Sequence, residues 1–540
     1  MILVVALGAL ATRVPRLKSR PMHTDEAVHA GKFHDLLEAG NYEYDPHEYH
    51  GPTLNYFTLI PAALTGTTTY AETTEVTLRI VPVAFSVLLI LLTVFLVDGL
   101  SLATIPIALL AAASPAICFY SRYYIQETLL LCFGFGAIVA GYRYARTKAL
   151  PWAVVAGAFV GLMHATKETC VIALASMALA WALVVLIGAR QGRPLRAAFS
   201  GVRPLHLAVA LAAAVGVSAL FCSSFFSHPR GVLDSYLTYT TYLGRAGGHD
   251  TTHIHPWYYY LRMVLFAKYE NGPIWTEAAI VLLALVGSVA AFTGKRIANI
   301  DPAFVRFAAL YSVFMIIIYA AIPYKTPWCM LGFLHGMILL AGVGAVALIA
   351  WAAKPVPRAA VIVLLFAMTA HLALQSYRAN VTYQSDSRNP YVYAHPTEEI
   401  FTLVADIKAY ARLRTGQDAV QVAVPGKDYW PLPWYLRDLE SVGWYSDLPD
   451  TIGPLIVISD KLETPLIRRL YEQTPRDKRR MYLPLLDDPY YIWFRPGVKM
   501  QGYVRKDLWD RYQQHPDPNE LIGQTSDQPA QQTTTVPRQQ

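Results

Sequence analysis

The sequence predicts a polytopic α-helical membrane protein with a soluble C-terminal α/β domain. Eleven apolar stretches fill the chain up to Tyr377, and none recurs beyond it. The composition agrees. With 54% hydrophobic and 15% charged residues and a mean hydropathy of +0.32, a 540-residue chain is too apolar to be soluble throughout, so the excess must face lipid.

Ten stretches, 80–97, 102–119, 128–145, 152–164, 171–189, 205–223, 277–293, 304–321, 330–351 and 360–376, read as spans across about 30 Å of hydrocarbon. The first, 1–12, makes only about 18 Å of helix and is expected to be completed by neighbouring helices or to begin upstream. A cleaved signal peptide fits it poorly, because no basic segment precedes it and no small-residue cleavage site follows. Alternating these spans sorts the basic residues to one side. Arg143, Arg146, Lys148, Arg190, Arg193, Arg196, Arg203, Lys295, Arg296, Arg306, Lys354 and Arg358 share one set of loops, cytoplasmic by the positive-inside rule. The opposite, outward set then comprises 13–79, 120–127, 165–169, 224–276, 322–329 and everything after 376, at the outer face of a cell membrane. The cysteines Cys118, Cys132, Cys170, Cys222 and Cys329 lie in or beside spans without CxxC spacing, so neither a disulfide framework nor a zinc site is indicated.

The outward loops hold the chemistry. A lone cation at a span end, such as Arg79 or Lys268, ordinarily snorkels to headgroups. Acidic residues gain nothing there. Asp25, Glu26, Glu48, Glu127 and Glu168, interleaved with Arg122, Lys167 and Lys325, therefore suggest a shared polar cavity, the alternative being ion pairs that only hold helices together. Carboxylates and cations at a membrane surface suit sugar transfer from a polyprenyl phosphate. Asp25 would take the acceptor hydroxyl proton, and Arg122, Lys167 and Lys325 would stabilise charge on the departing phosphate. His23, His29, His47 and His50 lie beside carboxylates, so Glu48, His50, Glu127 and Glu168 are candidate cavity residues or ligands of a divalent metal ion, though their spacing matches no closed site. His253-Ile254-His255 reads as interfacial loop.

Five segments occur in order: HTDEAVHA (23–30), EYHGPTLNY (48–56), YKTPW (324–328), RNPYVYAHP (388–396) and YWPLPWYLRD (429–438). Together they resemble the GT-C superfamily, which includes protein O-mannosyltransferases, lipid A aminoarabinose transferases and oligosaccharyltransferases. The resemblance is stronger to the bacterial and archaeal group labelled flippase activity-associated protein, linked to archaeal N-glycosylation, and it runs to about residue 506. It implies a GT-C-like fold and an inverting transfer of sugar from a polyprenyl-phosphate donor to an outward-side glycan, lipid or protein. Asp25 would be the catalytic carboxylate with Glu26 beside it, and Arg122, Lys167 and Lys325 would bind donor phosphate. The rival readings are a lipid-linked sugar flippase and a non-catalytic subunit of glycan assembly. A carrier is expected to show broken helices in paired repeats, whereas the long spans here have apolar centres and no internal repeat.

Residues 378–515 alternate helical and strand signals: helices at 398–414, 431–440 and 461–473, strands at 419–424, 455–459, 481–485 and 490–494. No Gly-rich phosphate loop is present, which argues against a nucleotide site. Tyr391, Tyr393, His395, Trp430 and Trp434, stiffened by nearby prolines, read either as an acceptor lid or as a surface docking the domain on the membrane. The polar tail 516–540 is expected to be disordered.

Overall fold

The computed structural model describes residues 1–47, 50–246, 253–293, 297, 299–413 and 420–514. They form two compact units, divided between His395 and Pro396. The boundary falls later than the expected 378. Asn389 Nδ2 donates to the carbonyls of Ala379 and Tyr383 (3.1 and 2.9 Å), and Tyr391 Oη donates to Glu277 (2.9 Å), tying this segment into the first unit. The tail 516–540 lies outside the described residues.

In the first unit each of the eleven apolar stretches carries a helix. Among the described residues, seven helical segments are long and apolar enough to cross a membrane: Glu75–Ala113, Glu127–Thr147, Cys170–Arg190, Pro204–Cys222, Pro302–Ala321, Pro327–Trp351 and Pro355–Thr382. Ile2–Arg13, Leu150–His164 and Ala278–Phe292 are shorter apolar helices. This unit is a multi-pass membrane domain.

The expected span 102–119 is broken. Its helix Thr104–Ala113 stops at Ser114, and a second helix, Pro115–Tyr120, restarts with proline in its first turn, where the missing N–H costs no hydrogen bond. The loops also hold helices that the apolar pattern does not reveal, Thr24–Ala39, Thr53–Thr65 and Gly231–Ala246.

Small residues let the spans approach closely. A Cβ on Gly344 would lie 2.0 Å from the Leu283 carbonyl oxygen, and one on Gly287 would lie 2.1 Å from that of Leu340, so Ala278–Phe292 and Leu331–Trp351 meet backbone to backbone.

The second unit is built on a six-stranded mixed sheet of order β2-β1-β3-β6-β4, with β5 paired to β6. β1 (Val420–Ala423), β2 (Val442–Tyr445) and β3 (Leu455–Ser459) are parallel. β6 (Val498–Arg505) runs antiparallel to β3, β4 (Tyr482–Pro484) and β5 (Ile492–Arg495). β1 and β3 are buried along their whole length, as apolar parallel strands covered on both faces should be. Leu462, Leu466 and Leu470 pack on Ala423, Ile456 and Ile458. Strands β2 and β6 were not visible in the sequence pattern, and the helix expected at 431–440 is one turn, Leu432–Tyr435. Its prolines, Pro431 and Pro433, suit a first turn but not a longer interior.

Gly344→Val should force the two spans apart, costing about 1–3 kcal/mol and lowering the unfolding midpoint of the detergent-purified protein. Gly216→Ala, whose Cβ would enter open space inside the helix Pro204–Cys222, should leave the midpoint unchanged or raise it slightly.

Candidate functional site

The site begins at the helix Thr24–Ala39. His23 caps it: its Nδ1 accepts from Asp25 N (3.0 Å), while the Glu26 carboxylate accepts from His23 N (3.0 Å), closing a capping box with an imidazole in place of a hydroxyl. With Nδ1 accepting, the ring proton sits on Nε2, which donates to the Tyr393 carbonyl (2.9 Å). The two acids that follow meet opposite surroundings. Asp25, in the first turn where the helix dipole favours an anion, keeps a side chain 42% exposed, whereas that of Glu26 is 0% exposed.

Glu26 is held from several directions. Arg79 donates to it twice, from Nε and Nη2, both at 2.7 Å; Tyr124 N donates at 2.9 Å, and Arg20 stands 3.8 Å away. Burial alone would push the Glu26 carboxyl up, but the guanidiniums of Arg79 and Arg20 outweigh it and hold the group at about 2. Arg79 does not snorkel. It is buried and also donates to the carbonyls of Leu17, Arg20 and Pro21 (2.6, 2.9 and 3.1 Å), gathering the start of the first loop around itself.

The EYHGP segment supplies the next wall. Gly51 N donates to Thr166 O (3.1 Å) and Thr53 N to Ala165 O (3.3 Å); a Cβ on Gly51 would fall 2.1 Å from Ala165 O, so the approach requires glycine. This contact sets His50 against Glu168, with Nδ1 2.8 Å from Oε2. Tyr44 Oη donates to the other Glu168 oxygen (3.0 Å). Burial opposes ionisation of Glu168, and His50 more than offsets it, so its pKa is lowered. Lys167 forms an ion pair with Glu127. Burial disfavours the Lys167 ammonium, yet Glu127 raises its pKa above the ordinary lysine value.

These groups line one cavity of about 440 Å³. Asp25, His29, His50, Glu127, Lys167 and Glu168 form its polar wall, and Val28, Ile125, Val171, Ile172, Leu243 and Ile322 are among its apolar lining. His29 is kept neutral: burial, seconded by His50, pulls it down to about 3, and its Nδ1 lies 3.4 Å from Gln126 Nε2. The Gly231–Ala246 helix adds Tyr239 and Tyr242, the latter with its hydroxyl 2.9 Å from His50 Nδ1. A narrower cleft of about 50 Å³ shares Glu127, Thr169, Tyr319, Trp328 and Cys329 with the cavity and continues between the spans to Phe135, His335 and Leu339.

Of the residues singled out from sequence, Asp25, His50, Glu127, Lys167 and Glu168 come together here. Glu26 does not line the cavity but anchors the helix behind it. Lys325 does not line it either. Its Nζ donates to the Ile322 carbonyl, while its neighbours Tyr324 and Thr326 face the space. Arg122 belongs elsewhere, donating to the carbonyls of Pro15 (2.7 Å) and Asn380 (3.3 Å). Glu48 lies outside the described residues. Tyr391 and His395 are buried, and Tyr393 bonds His253 through its hydroxyl, so none of the three lines the cavity. In the second unit Trp434 is buried, with the Arg437 guanidinium 3.8 Å from its ring centre, and Trp430 is half-buried. Among the described residues no group of three or more His, Cys, Asp and Glu side chains is placed to hold a metal ion.

No family model matches the chain, and no curated protein matches it. Solved structures do. ArnT from Cupriavidus metallidurans in the apo state aligns over 92% of this chain and 96% of its own, with a TM-score of 0.59 at 14% identity. The same protein bound to undecaprenyl phosphate aligns over 92% and 97%, with a TM-score of 0.56 at 15% identity. The chain has the ArnT fold. The S. cerevisiae protein O-mannosyltransferase Pmt1-Pmt2 complex bound to the sugar donor matches only 43% of this chain and 33% of its own, at a TM-score of 0.33 and 17% identity, too remote to weigh.

Glu26→Gln should destabilise the protein by about 3–5 kcal/mol, because Arg79 is left buried without its counter-charge. Glu26 lies below its ordinary value of 4.5 in the folded state, so its contribution is complete above that value and is lost as pH falls toward about 2. Between about pH 5 and pH 3 the wild-type unfolding midpoint should fall more steeply than that of the variant.

Proposed function

We propose that this protein transfers a sugar from a polyprenyl-phosphate-linked donor to an acceptor hydroxyl, with Asp25 as the catalytic base. One observation carries the reading. Three acids line the cavity, and two are engaged, Glu127 by Lys167 and Glu168 by His50 and Tyr44; the Asp25 carboxylate accepts no hydrogen bond among the described residues and is half exposed on the wall. A base must be open to its proton donor, and Asp25 stands uncommitted on the cavity wall in the first turn of a helix, where the dipole favours an anion.

Asp25 takes the acceptor proton while the acceptor oxygen forms a bond to the anomeric carbon. The bond from that carbon to the phosphate oxygen breaks with inversion, and the negative charge passes to the phosphate. Lys167 is the cation on the cavity wall suited to receive it, exchanging Glu127 for a phosphate oxygen. The apolar side of the cavity and the cleft running from Glu127 to Leu339 would take the first isoprene units. The binding of undecaprenyl phosphate by ArnT, of the same fold, supports a lipid-phosphate donor.

The five ordered motifs support a reading of the protein as a GT-C superfamily member resembling the flippase activity-associated group. The gathering of Lys and Arg in the opposite set of loops supports an outward-facing cavity and C-terminal domain.

Asp25→Asn should lower the rate of sugar transfer by about 10²–10⁴-fold without changing donor affinity. Mass spectrometry of glycans and polyprenyl-linked intermediates from cells carrying this variant should show donor accumulating and product missing. Unchanged glycans would overturn the assignment.

A further inference from the structure

A second polar centre lies behind the helix Thr24–Ala39, outside the cavity. Arg20, Arg79 and Arg122 are buried side by side there, with Arg16 exposed at the edge; together with Leu17, Asn380 and Gln384 they line a small opening of about 10 Å³. The charges do not balance. Among the described residues Arg122 has no carboxylate partner, and Arg20 has only Glu26, 3.8 Å away and already bound twice by Arg79. Their other bonds are to neutral carbonyls: Arg20 to Arg122 O (2.5 Å), and Arg122 to Pro15 O and Asn380 O. Burial pulls the Arg20 guanidinium down to about 9, with Glu26 opposing the shift and Arg79 and Arg122 adding to it. Clustered buried cations with so little counter-charge are expensive unless an anion completes them.

The unfilled hydrogen bonds say what kind of anion. Nε of Arg20 and Nε of Arg122 are buried donors without partners, and Oδ1 of Asn380 is a buried acceptor without one. A ligand suited to this centre accepts from guanidinium N–H groups and donates to an amide oxygen. A halide cannot donate, and water carries no charge. A singly protonated phosphate does both. The opening admits about one oxygen atom, leaving the rest of the phosphate at the mouth beside Arg16.

We infer that this arginine centre is a second anion site, separate from the Asp25 cavity, that binds a protonated phosphate group, either the monoester headgroup of a membrane lipid or free inorganic phosphate. The ends of three helical segments meet here. Arg122 bonds Pro15, just beyond Ile2–Arg13, and Asn380, just beyond Pro355–Tyr377, while Arg79 lies in the first turns of Glu75–Leu92. Filling the site would hold these ends together and, through Glu26, fix the N-terminus of the helix that carries Asp25.

The test is the melting temperature of the full-length protein purified in detergent. It is measured with inorganic phosphate, with chloride at matched ionic strength, and in micelles doped with phosphatidate or with phosphatidylcholine. A rise of about 1–3 °C with phosphate or phosphatidate, absent with chloride and phosphatidylcholine, is expected. A response to phosphatidate alone assigns the lipid headgroup; a response to both shows that free phosphate suffices. Arg122→Gln and Arg16→Gln should each weaken the response, raising the concentration needed about tenfold. Arg16 is exposed, so its variant remains informative if Arg122→Gln does not fold. An equal response to chloride, no response to any phosphate, or a phosphate response that survives in Arg16→Gln and every folded variant would overturn the inference.

Discussion

The bidentate pair between Glu26 and Arg79 is the constraint on which the candidate site depends. Glu26 is where four chain segments meet: it accepts from Arg79 at the start of a span, from Tyr124 in the next loop and from His23 in its own helix cap, and it lies near Arg20. Arg79 in turn binds the backbone of 17–21. One buried carboxylate thus fixes the start of the Thr24–Ala39 helix relative to the membrane helices. The orientation of Asp25, one residue earlier, follows from that fixed start.

The two adjacent acids, Asp25 and Glu26, have unlike surroundings. Glu26 is enclosed; burial opposes its ionisation, but two guanidiniums outweigh it and hold the carboxyl well below the usual carboxylate range. Asp25 lines the cavity, with the His23 ring 3.8 Å away. That ring is itself fixed, capping the helix with one nitrogen and bonding Tyr393 with the other, so the segment 389–395 reaches Asp25 through a single imidazole. Tyr391 and His395 are buried beside this tether.

Much of this was legible in the sequence and some was not. Every apolar stretch became a helix because hydrophobicity over a span's length leaves few alternatives in lipid. The one-sided clustering of Asp25, His50, Glu127, Lys167 and Glu168 was legible because carboxylates near a bilayer need a cavity. The motifs could not say which charge faces which hollow. Arg79 reads from sequence as a span-end cation, and only its partner 53 residues away reveals that it is buried. Arg122 and Lys325 carry the right charge in the right loops, but a turn of backbone directs each to a carbonyl instead. The loop helices were missed because their polar faces carry no apolar period of a span's length, and β2 because Val442-Gly443-Trp444-Tyr445 is short and interrupted by glycine.

The resting cavity is also selective by its charge balance. Lys167 and Glu127 neutralise each other, as His50 and Glu168 partly do, so a ligand entering the space meets little net positive field. A neutral molecule gains nothing by opening the Lys167–Glu127 pair, since a buried acid would be left uncompensated. A phosphate with two oxygens to offer can replace Glu127 at Lys167, provided the released carboxylate finds a hydrogen bond of its own. Thr169 and Tyr319 line the same wall beside Glu127 and carry the hydroxyls to supply one. On the proposed function the pair would act as a latch: it holds Lys167 ionised in an apolar setting until a phosphate takes the place of Glu127.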